Sequence, residues 1–344
     1  MAGIAVAGNA LVDHYKRIGT YPAASALTTI HSVETAPGGL LCNCAIDLAR
    51  LDPGLRIPVV GVVGDDEAGD FLARRLGSYP GIDTGQLHRA GRTSFTDVME
   101  DATAATRTFF HYRGANALLC PDHFDFARLD ADLLHIGYAL LLDALDAPDP
   151  RYGTGLARVL ATAKQHGLRT SIDVVSEQSD RFRRIVPAAL RHTDFCIVNE
   201  VEACRTTGVE LVDPVEPDPD ALRRAAAALL DLGVSTWAVI HWAQGAVGLA
   251  SSGEWVVRPA LALDPDRIVT TTGAGDAFAA GVVYTAWEGG SLAAAIETGI
   301  GAAASSLLVG NATDGVPDVT EARARYRSWP RRPGPAAGAV EPGR

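Results

Sequence analysis

The feature that most constrains this chain is a repeated alternation between short apolar runs and helical segments. Six apolar runs are bounded by turn residues, and they lie at 4–8 (IAVAG), 57–64 (IPVVGVVG), 132–138 (DLLHIGY), 169–175 (RTSIDVV), 194–199 (DFCIVN) and 237–242 (WAVIHW). Helical periodicity marks the stretches 42–51, 155–167 and 221–233 between them. Such alternation is typical of a mostly parallel sheet covered by helices on both faces. The sequence therefore predicts a doubly wound α/β fold.

Two segments depart from this alternation. Residues 14–36 and 92–117 are rich in threonine, aromatic and β-branched residues and show no helical pattern. They predict short strands that pair into a small β-sheet lid over one end of the main sheet. The α/β core then comprises residues 1–13, 37–91 and 118–328. The proline- and glycine-rich tail at 329–344 is expected to be disordered.

Composition narrows the classes of partner. The formal net charge is −11 and no basic cluster is present, which argues against nucleic acid and acidic membrane surfaces and favours small soluble ligands. The sequence contains no run of about 20 apolar residues and no signal-peptide pattern at its start, so we expect a cytoplasmic protein. The five cysteines lack zinc-ligand spacing, which predicts buried, reduced thiols and no metal cluster formed by the protein alone.

The most informative motif is TTTGAGDAFAAGVVY at 270–284, where an aspartate follows a Gly-Ala-Gly turn at the start of an apolar helix. A glycine-rich turn that opens a helix presents unpaired backbone N–H groups and the positive end of the helix dipole, which together bind anions. Asp276 is itself an anion. It either caps the helix and fills the anion site, or lies beside a bound phosphate and accepts a proton from the group that attacks it.

Three further stretches occur in a fixed order before this motif. Residues 37–45 (PGGLLCNCA) open a helix with adjacent glycines, 57–71 (IPVVGVVGDDEAGDF) join a strand to a Gly-Asp-Asp turn, and 198–202 (VNEVE) follow an apolar strand. Together with the 270–284 motif they make residues 4–317 resemble the PfkB, or ribokinase-like, carbohydrate kinases. The resemblance implies a doubly wound α/β fold with a small β-sheet lid. It also implies transfer of the γ-phosphate of ATP to a sugar or nucleoside hydroxyl.

The resemblance assigns roles to individual residues. Asp276 resembles the family's general base, and the amides of Gly273, Ala274 and Gly275 resemble its anion hole. We expect the helix end to lower the basicity of Asp276, which a late proton transfer tolerates. The residues implied for the acceptor are Asp13, Gly38, Gly39 and Asn43. The residues implied for ATP, with Mg²⁺ and phosphate ordered through water, are Asn199, Glu202, Gly245 and Thr271.

Ordinary structural roles compete with these assignments. Asp13 alone indicates a solvated loop carboxylate, the glycine pair indicates a tight turn, and Asn199 with Glu202 indicates a plain helix start. In the lid stretch 107–116 (RTFFHYRGAN), Phe109 and His111 either pack on the core or face the sugar, so neither is assigned as a ligand.

The chain also departs from the family pattern. Thr270 replaces an aspartate linked to a monovalent cation, so activation by potassium is not expected. Trp242 replaces a glycine near the nucleotide site, and the family's Pro and Asn after the position of Asp173 are missing. Nucleotide preference and the role of Asp173 therefore stay open.

Other classes of protein explain less of the sequence. A dinucleotide-dependent oxidoreductase lacks its G-x-G-x-x-G after the first strand, and a P-loop enzyme lacks its G-K-[ST]. The alternatives to a sugar kinase are a nucleoside kinase on the same fold and a non-catalytic ligand-binding descendant. The lid either covers the ligand or pairs with the lid of a second copy in a homodimer.

Overall fold

The computed structural model describes residues 2–104, 106–211, 213 and 217–333. Its strands are β1 (Gly3–Gly8), β2 (Leu11–Ile18), β3 (Ile30–Gly38), β4 (Ile57–Val63), β5 (Ile82–Arg89), β6 (Ser94–Asp101), β7 (Thr106–Tyr112), β8 (Ala131–Ala139), β9 (Pro148–Asp149), β10 (Gly153–Thr154), β11 (Arg169–Val174), β12 (Phe195–Asn199), β13 (Trp237–Trp242), β14 (Gly245–Ala250) and β15 (Trp255–Pro259). Its helices are α1 (Gly39–Leu51), α2 (Glu67–Gly77), α3 (Asp143–Asp146), α4 (Gly155–Gln165), α5 (Phe182–Leu190), α6 (Glu200–Thr207), α7 (Pro219–Asp231), α8 (Ala274–Trp287), α9 (Leu292–Ser306) and α10 (Val319–Ser328).

The main sheet has nine strands in the order β15-β14-β13-β12-β11-β8-β1-β4-β5. The strands from β13 to β5 pair in parallel, and β14 and β15 add an antiparallel edge. Each of the six apolar runs overlaps one of these strands almost completely, and β1 and β4 are buried along their whole length. The predicted doubly wound α/β fold is confirmed.

Helices cover both faces of this sheet because the side chains of each strand alternate between two apolar layers. In β1, Ile4 and Val6 pack in the layer that includes residues of α1, α8 and α9. Ala5 and Ala7 pack in the opposite layer, with residues of α4, α5 and α7. The strand is apolar at every position for this reason.

The strand order reverses at β1, and this reversal places the site. From β1 the chain first adds β4 and β5 on one side, and then returns to place β8 on the other side. In open α/β sheets the crevice beyond the carboxyl ends of the strands at such a reversal is the usual ligand site. The residues that end β1, β8, β11, β12 and β13 therefore surround one crevice.

A second, smaller sheet covers this crevice. It has four strands in the order β3-β2-β6-β7, in which β2 and β6 are parallel and both outer pairs are antiparallel. We call β2, β3, β6 and β7 the small sheet. Its first strand begins at Leu11, three residues before the predicted start of the lid, because Leu11 already pairs with Gly38 and Ser94. Asp13 therefore belongs to the small sheet rather than to the core.

The end of the described chain is ordered further than predicted. Trp329 packs against the core, and the amide of Ala262 donates to the Pro330 carbonyl. The Arg332 amide donates to the Ala260 carbonyl, so this segment extends the pairing beside β15. The predicted tail thus begins with the paired residues 329–333, and its remaining part at 334–344 lies outside the described residues.

Two smaller expectations can be compared with the described residues. Cys42, Cys44 and Cys196 are buried as predicted, whereas Cys120 and Cys204 are partly exposed because they lie in a loop and on an outer helix. Within the described ranges, every helix is too short or too polar to cross a membrane.

Candidate active site

The Gly-Ala-Gly turn forms the N-terminus of α8. Gly273 is the residue before the helix, and its φ of 80° lies in the left-handed region that favours glycine. A Cβ atom at this position would also lie 2.6 Å from the Ala312 Cβ. A Cβ atom at Gly275 would make only an ordinary contact with the His241 ring, 3.4 Å away, and Gly275 lines the adjoining cavities. The turn thus packs against Ala312 and leaves its opposite side open.

Asp276 lies in the first turn of α8, but its carboxylate does not cap the helix. The Tyr138 hydroxyl donates to Asp276 Oδ1 at 2.6 Å, and Asn43 Nδ2 donates to Oδ2 at 2.8 Å. The described residues provide no side-chain cap for α8. The carboxylate is therefore held by α1 and β8, and the amides at the helix start keep their capacity to bind an anion.

Burial controls the basicity of Asp276. The residue is 5% exposed, and burial raises its pKa above the usual range, although the hydrogen bonds from Tyr138 and Asn43 act in the opposite direction. The desolvation of the carboxylate therefore outweighs the two hydrogen bonds that stabilise its charge, and the expectation that the helix end lowers its basicity stays a prediction. A more basic carboxylate is better suited to accept a proton.

Asp13 projects from β2 into the same crevice, and the adjacent glycines make room for it. A Cβ at Gly38 would lie 2.2 Å from Asp13 Oδ2, and a Cβ at Gly39, whose φ is 80°, would lie 2.5 Å from the Asn9 carbonyl oxygen. The glycine pair is therefore required by two close approaches, beyond the needs of a tight turn. Burial raises the pKa of Asp13 to about 7, against a hydrogen bond with Thr96 that lowers it.

Asn199 and Glu202 form a capping box at the start of α6. The Glu202 amide donates to Asn199 Oδ1 at 2.9 Å, and the Asn199 amide donates to Glu202 Oε2 at 2.9 Å. Ser176 donates to Glu202 Oε1 at 2.9 Å. Burial raises the pKa of Glu202 to about 7, and burial and the Glu202 charge raise the pKa of Asp173. The ordinary helix-start role is present, and it also fixes the Glu202 carboxylate close to Asp173, whose pKa it raises.

Two cavities meet at the N-terminus of α8. The polar cavity, of about 590 Å³, lies between the strand ends and the small sheet. The predicted residues that line it are Asp13, Gly39, Asn43, Asn199, Glu202, Gly273, Gly275 and Asp276. The apolar cavity, of about 340 Å³, lies on the other side, and the predicted residues that line it are Gly245, Thr271, Ala274 and Gly275. Gly275 and His241 line both cavities.

All twelve predicted residues therefore lie at or beside one composite site. Eleven of them line the two cavities, and Gly38 packs directly against Asp13. The position of Trp242 is also explained, because its ring is buried and forms part of the apolar cavity wall. Gly245 pairs with Trp242 across the β13–β14 hairpin, and a Cβ there would lie 2.5 Å from the Arg258 carbonyl oxygen. The departure from the family pattern thus lies in the wall of the apolar cavity.

Three polar residues of the site were not predicted from the sequence. Tyr138 is the last but one residue of β8, and Thr96 lies next to Asp13 on β6. Arg107 on β7 donates to Thr270 Oγ1 at 3.0 Å and to Thr272 Oγ1 at 2.9 Å, which joins the small sheet to the turn before α8. A tyrosine that closes a buried strand (DLLHIGY) is a signal that the sequence offers. The contacts of Thr96 and Arg107 depend on strand pairing, which the sequence does not show.

The residues present fit a magnesium ion that arrives with phosphate groups. Among the described residues, no cluster of three or more His, Cys, Asp or Glu side chains is arranged to hold a metal. Mg²⁺ commonly uses one or two carboxylates, water and substrate phosphates rather than a cage of protein ligands. Asp173 and Glu202 supply two such carboxylates on the wall of the polar cavity.

Comparison with known proteins agrees with this geometry. A family model described as pfkB family carbohydrate kinase matches residues 1–319. The deoxyribokinase of Salmonella typhimurium is 26% identical over 306 residues, which cover 88% of this chain and 92% of the relative. The ATP-dependent ribose-1-phosphate kinase of Halopiger xanaduensis is 28% identical over 302 residues, which cover 86% of this chain and 89% of the relative.

Solved structures show the same fold. The ribokinase of Thermotoga maritima aligns with a TM-score of 0.76 at 20% identity, over 95% of this chain and 100% of the other. The ribokinase of Arabidopsis thaliana complexed with ribose and ATP aligns with a TM-score of 0.76 at 21% identity, over 95% of this chain and 99% of the other. The chain therefore belongs to the pfkB family of carbohydrate kinases, and it is a phosphotransferase with an alcohol group as acceptor.

Proposed function

We propose that the protein transfers the γ-phosphoryl group of ATP to a hydroxyl of a sugar or sugar-like molecule, with Asp276 as the general base. The observation that carries this proposal is the position of the α8 N-terminus between the two cavities, with the Asp276 carboxylate on the polar side. A donor in one cavity and an acceptor in the other would meet at this turn. Phosphoryl transfer depends mostly on such positioning and on charge stabilisation.

The apolar cavity is assigned to the nucleotide. Its wall includes Trp242, Leu261 and Phe278, which suit the flat apolar faces of a base. The amides of Gly273, Ala274 and Gly275 then face the transferring phosphate at the positive end of the α8 dipole. The solved relatives whose names include ATP complexes support ATP as the donor.

The polar cavity is assigned to the acceptor. Asp13 binds acceptor hydroxyls, and Asn43 fixes both the floor of this cavity and one oxygen of Asp276. The acceptor hydroxyl gives its proton to an Asp276 carboxylate oxygen while its own oxygen bonds to the γ-phosphorus. The bond from that phosphorus to the β–γ bridging oxygen breaks, and ADP leaves with the electron pair.

Tyr138 and Asn43 keep the carboxylate of Asp276 in place through this step. Each donates to a different oxygen, so the carboxylate cannot rotate freely while it waits for the proton. Asp173 and Glu202 would hold Mg²⁺ at the wall of the polar cavity, and the ion would supply positive charge to the phosphate groups. Exclusion of water from the cavity by the small sheet limits hydrolysis of ATP.

Replacement of Asp276 by Asn tests the base assignment. Asp276→Asn keeps the size and polarity of the side chain but removes the proton acceptor, so we expect kcat to fall roughly 10²- to 10⁴-fold while the KM for ATP changes little. Steady-state ADP release with a saturating acceptor measures both constants. Near-normal turnover would show that Asp276 is not the base.

Asp318→Ala provides the matched control for a capping role. Asp318 caps α10 by accepting from the Glu321 amide at 3.0 Å, on an exposed part of the surface. Its loss should cost about 0.5–2 kcal/mol of stability without a change in kcat. If Asp276→Asn behaved like Asp318→Ala, Asp276 would have only a structural role.

A nucleoside acceptor is the second candidate. The observation that favours it is the ring of Phe109, which lines the polar cavity and is 57% exposed, so it is free to stack on a base. Comparison of adenosine with ribose as acceptors in the ADP-release assay distinguishes the two. A preference for adenosine that is lost in Phe109→Ala would establish the nucleoside kinase.

A further inference from the structure

We propose that the acceptor is an uncharged polyhydroxyl compound rather than a sugar phosphate or a sugar acid, and that His111 of the small sheet binds one of its hydroxyls. This inference rests on the proposed kinase function and narrows its substrate class. It is carried by two independent observations, which are a row of paired polar residues on the small sheet and the charges on the cavity wall.

Three polar residues lie side by side across the small sheet. Asp13 on β2 pairs with Thr96 on β6, and Thr96 pairs with His111 on β7. Directly paired residues project from the same face of a sheet, and all three line the polar cavity. We call these residues the Asp13 row. The small sheet thus presents a polar row to the acceptor.

The hydrogen bonds along the Asp13 row determine which of its atoms can donate to a ligand or accept from it. The Thr96 hydroxyl has a single proton, and the bond with the Asp13 carboxylate uses it. His111 Nδ1 lies 3.1 Å from Thr96 Oγ1, and in the tautomer that leaves the Thr96 proton to Asp13 it donates its N–H to that oxygen. In a neutral imidazole the other nitrogen, Nε2, is then an acceptor. Burial and the nearby Arg113 charge lower the pKa of His111, which keeps the ring neutral.

His111 Nε2 has no hydrogen-bond partner among the described residues, although it is buried. A buried nitrogen without a partner is costly, and a ligand hydroxyl would satisfy it. The Asp13 row therefore presents a carboxylate and a bare ring nitrogen, both of which accept hydrogen bonds. A hydroxyl group can donate to each of them, whereas a phosphate dianion or a carboxylate has no proton to donate.

The charges on the wall of the polar cavity also favour an uncharged acceptor. The carboxylates that line the polar cavity are Asp13, Asp173, Glu177, Glu202 and Asp276. In the part of the chain that the structure describes, no lysine or arginine lines this cavity. An anionic acceptor would be buried among these carboxylates without a counter-charge, and such burial is strongly unfavourable. A neutral acceptor avoids this cost.

The guanidinium groups beside the cavity are already paired. Arg181 donates to Glu177 Oε2 at 2.6 Å and to the Leu140 carbonyl at 2.7 Å. Arg113 lies 2.5 Å from Asp143 Oδ1 and 3.5 Å from Glu177 Oε2. A phosphate group on the acceptor would have to break these pairs to gain a counter-charge.

Matched pairs of acceptors test the charge preference. ADP release is measured with ribose and ribose 1-phosphate, with glucitol and gluconate, and with deoxyribose, glucose and adenosine as further neutral compounds. We expect a neutral compound to be the best acceptor, and kcat/KM to fall at least about 100-fold, or about 2.7 kcal/mol, for the charged member of its pair. A charged compound as the best acceptor would overturn this inference and leave the kinase function standing. Absence of acceptor-dependent ADP release with every compound, charged or neutral, would instead overturn the proposed function.

His111→Phe tests the binding residue with the best neutral acceptor. The variant keeps a ring on the strand but removes the acceptor nitrogen, so the KM for the acceptor should rise roughly 10-fold or more while the KM for ATP stays the same. Thr108→Val is the matched control, because Thr108 lies on the same strand and faces away from the cavity. An unchanged acceptor KM in His111→Phe, or an equal rise in Thr108→Val, would contradict the assignment.

Discussion

At the scale of single residues, the groups of the site that can exchange protons are mainly buried carboxylates. Asp13 is 8% exposed, and burial raises its pKa to about 7, so the ligand-free folded protein favours the protonated form below about pH 7. Binding of sugar hydroxyls favours the ionised form, which accepts more hydrogen bonds. Below about pH 7, the ionised form of Asp13 that binds the acceptor is thus the less stable form in the ligand-free protein.

This conflict predicts how stability depends on pH. Below about pH 4, Asp13 is protonated in both the folded and the unfolded chain. As the pH rises toward 7, the unfolded chain ionises first, so the folded protein loses stability relative to a variant without this carboxyl. A rise of the pKa from 3.8 to about 7 corresponds to at most about 4 kcal/mol. We therefore expect Asp13→Asn to gain stability relative to the parent between pH 4 and 7.

Urea unfolding of the ligand-free proteins across this pH range measures the difference. The control for the Asp-to-Asn exchange itself is Asp180→Asn, since Asp180 lies exposed on the surface. The same Asp13→Asn protein should show a raised KM for the acceptor and a nearly unchanged KM for ATP. A stability difference that is flat from pH 4 to 7 would show that Asp13 ionises normally.

Site residues within the sequence motifs could be predicted from the sequence. Site residues that reach the motifs through contacts distant in sequence could not. The glycines before α8 and α1 are recognisable because backbone geometry and close approaches exclude other side chains there. Tyr138 contacts Asp276 across 138 positions of sequence, and Thr96 reaches Asp13 only through the register of β2 and β6. The sequence contains the residue types at these positions but no local pattern that pairs them.

At the scale of elements, the small sheet joins the two halves of the site. Its β2 carries Asp13, and its β7 carries His111 toward the acceptor and Arg107 toward the turn before α8. Arg107 also pairs with Glu100 on the neighbouring strand at 2.9 Å. A sheet of so few strands is marginal by itself, and the core and the ligand must supply its remaining stability.

Acceptor binding should therefore close and protect the small sheet. We expect hydrogen exchange in 11–38 and 94–112 to slow more with the acceptor bound than with ATP alone, because the acceptor contacts the Asp13 row directly. Exchange measured by mass spectrometry with each ligand separately decides the point. Protection confined to 270–284 in both cases would show that the small sheet is static and that the closure idea is wrong.

Element boundaries were harder to predict than element types. The parallel strands were predictable because both faces are buried, so each is a continuous apolar run. Strand β2 follows β1 after only two residues and begins with apolar Leu11 and Val12, so no pattern separates the core from the small sheet. Residues 330–332 gain order by pairing with 260–262, a contact that no local composition could indicate.

At the scale of the whole molecule, the outer face of the small sheet exposes apolar side chains to which the site gives no role. Cross-strand pairing places Phe110 on the same face as His14 and Thr35, opposite to Asp13 and His111. Val33, Phe110 and Tyr112 are 59%, 50% and 44% exposed. The inner face is used by the site, whereas these three apolar side chains are exposed on the outer face, beside the Lys16–Asp97 ion pair of the same face. Contiguous exposed apolar surface commonly marks an interface.

A second copy of the chain is the partner that we predict for this face. Two small sheets packed face to face would bury both apolar surfaces and would stabilise each marginal sheet over its site. The prediction is a homodimer in sedimentation-velocity experiments at micromolar concentration, and Phe110→Glu should convert it to a monomer because two buried charges would face the interface. Leu118→Glu is the control, since Leu118 is 46% exposed but lies outside the small sheet. A parent protein that sediments as a monomer, or a dimer that survives Phe110→Glu, would leave this face without the proposed partner.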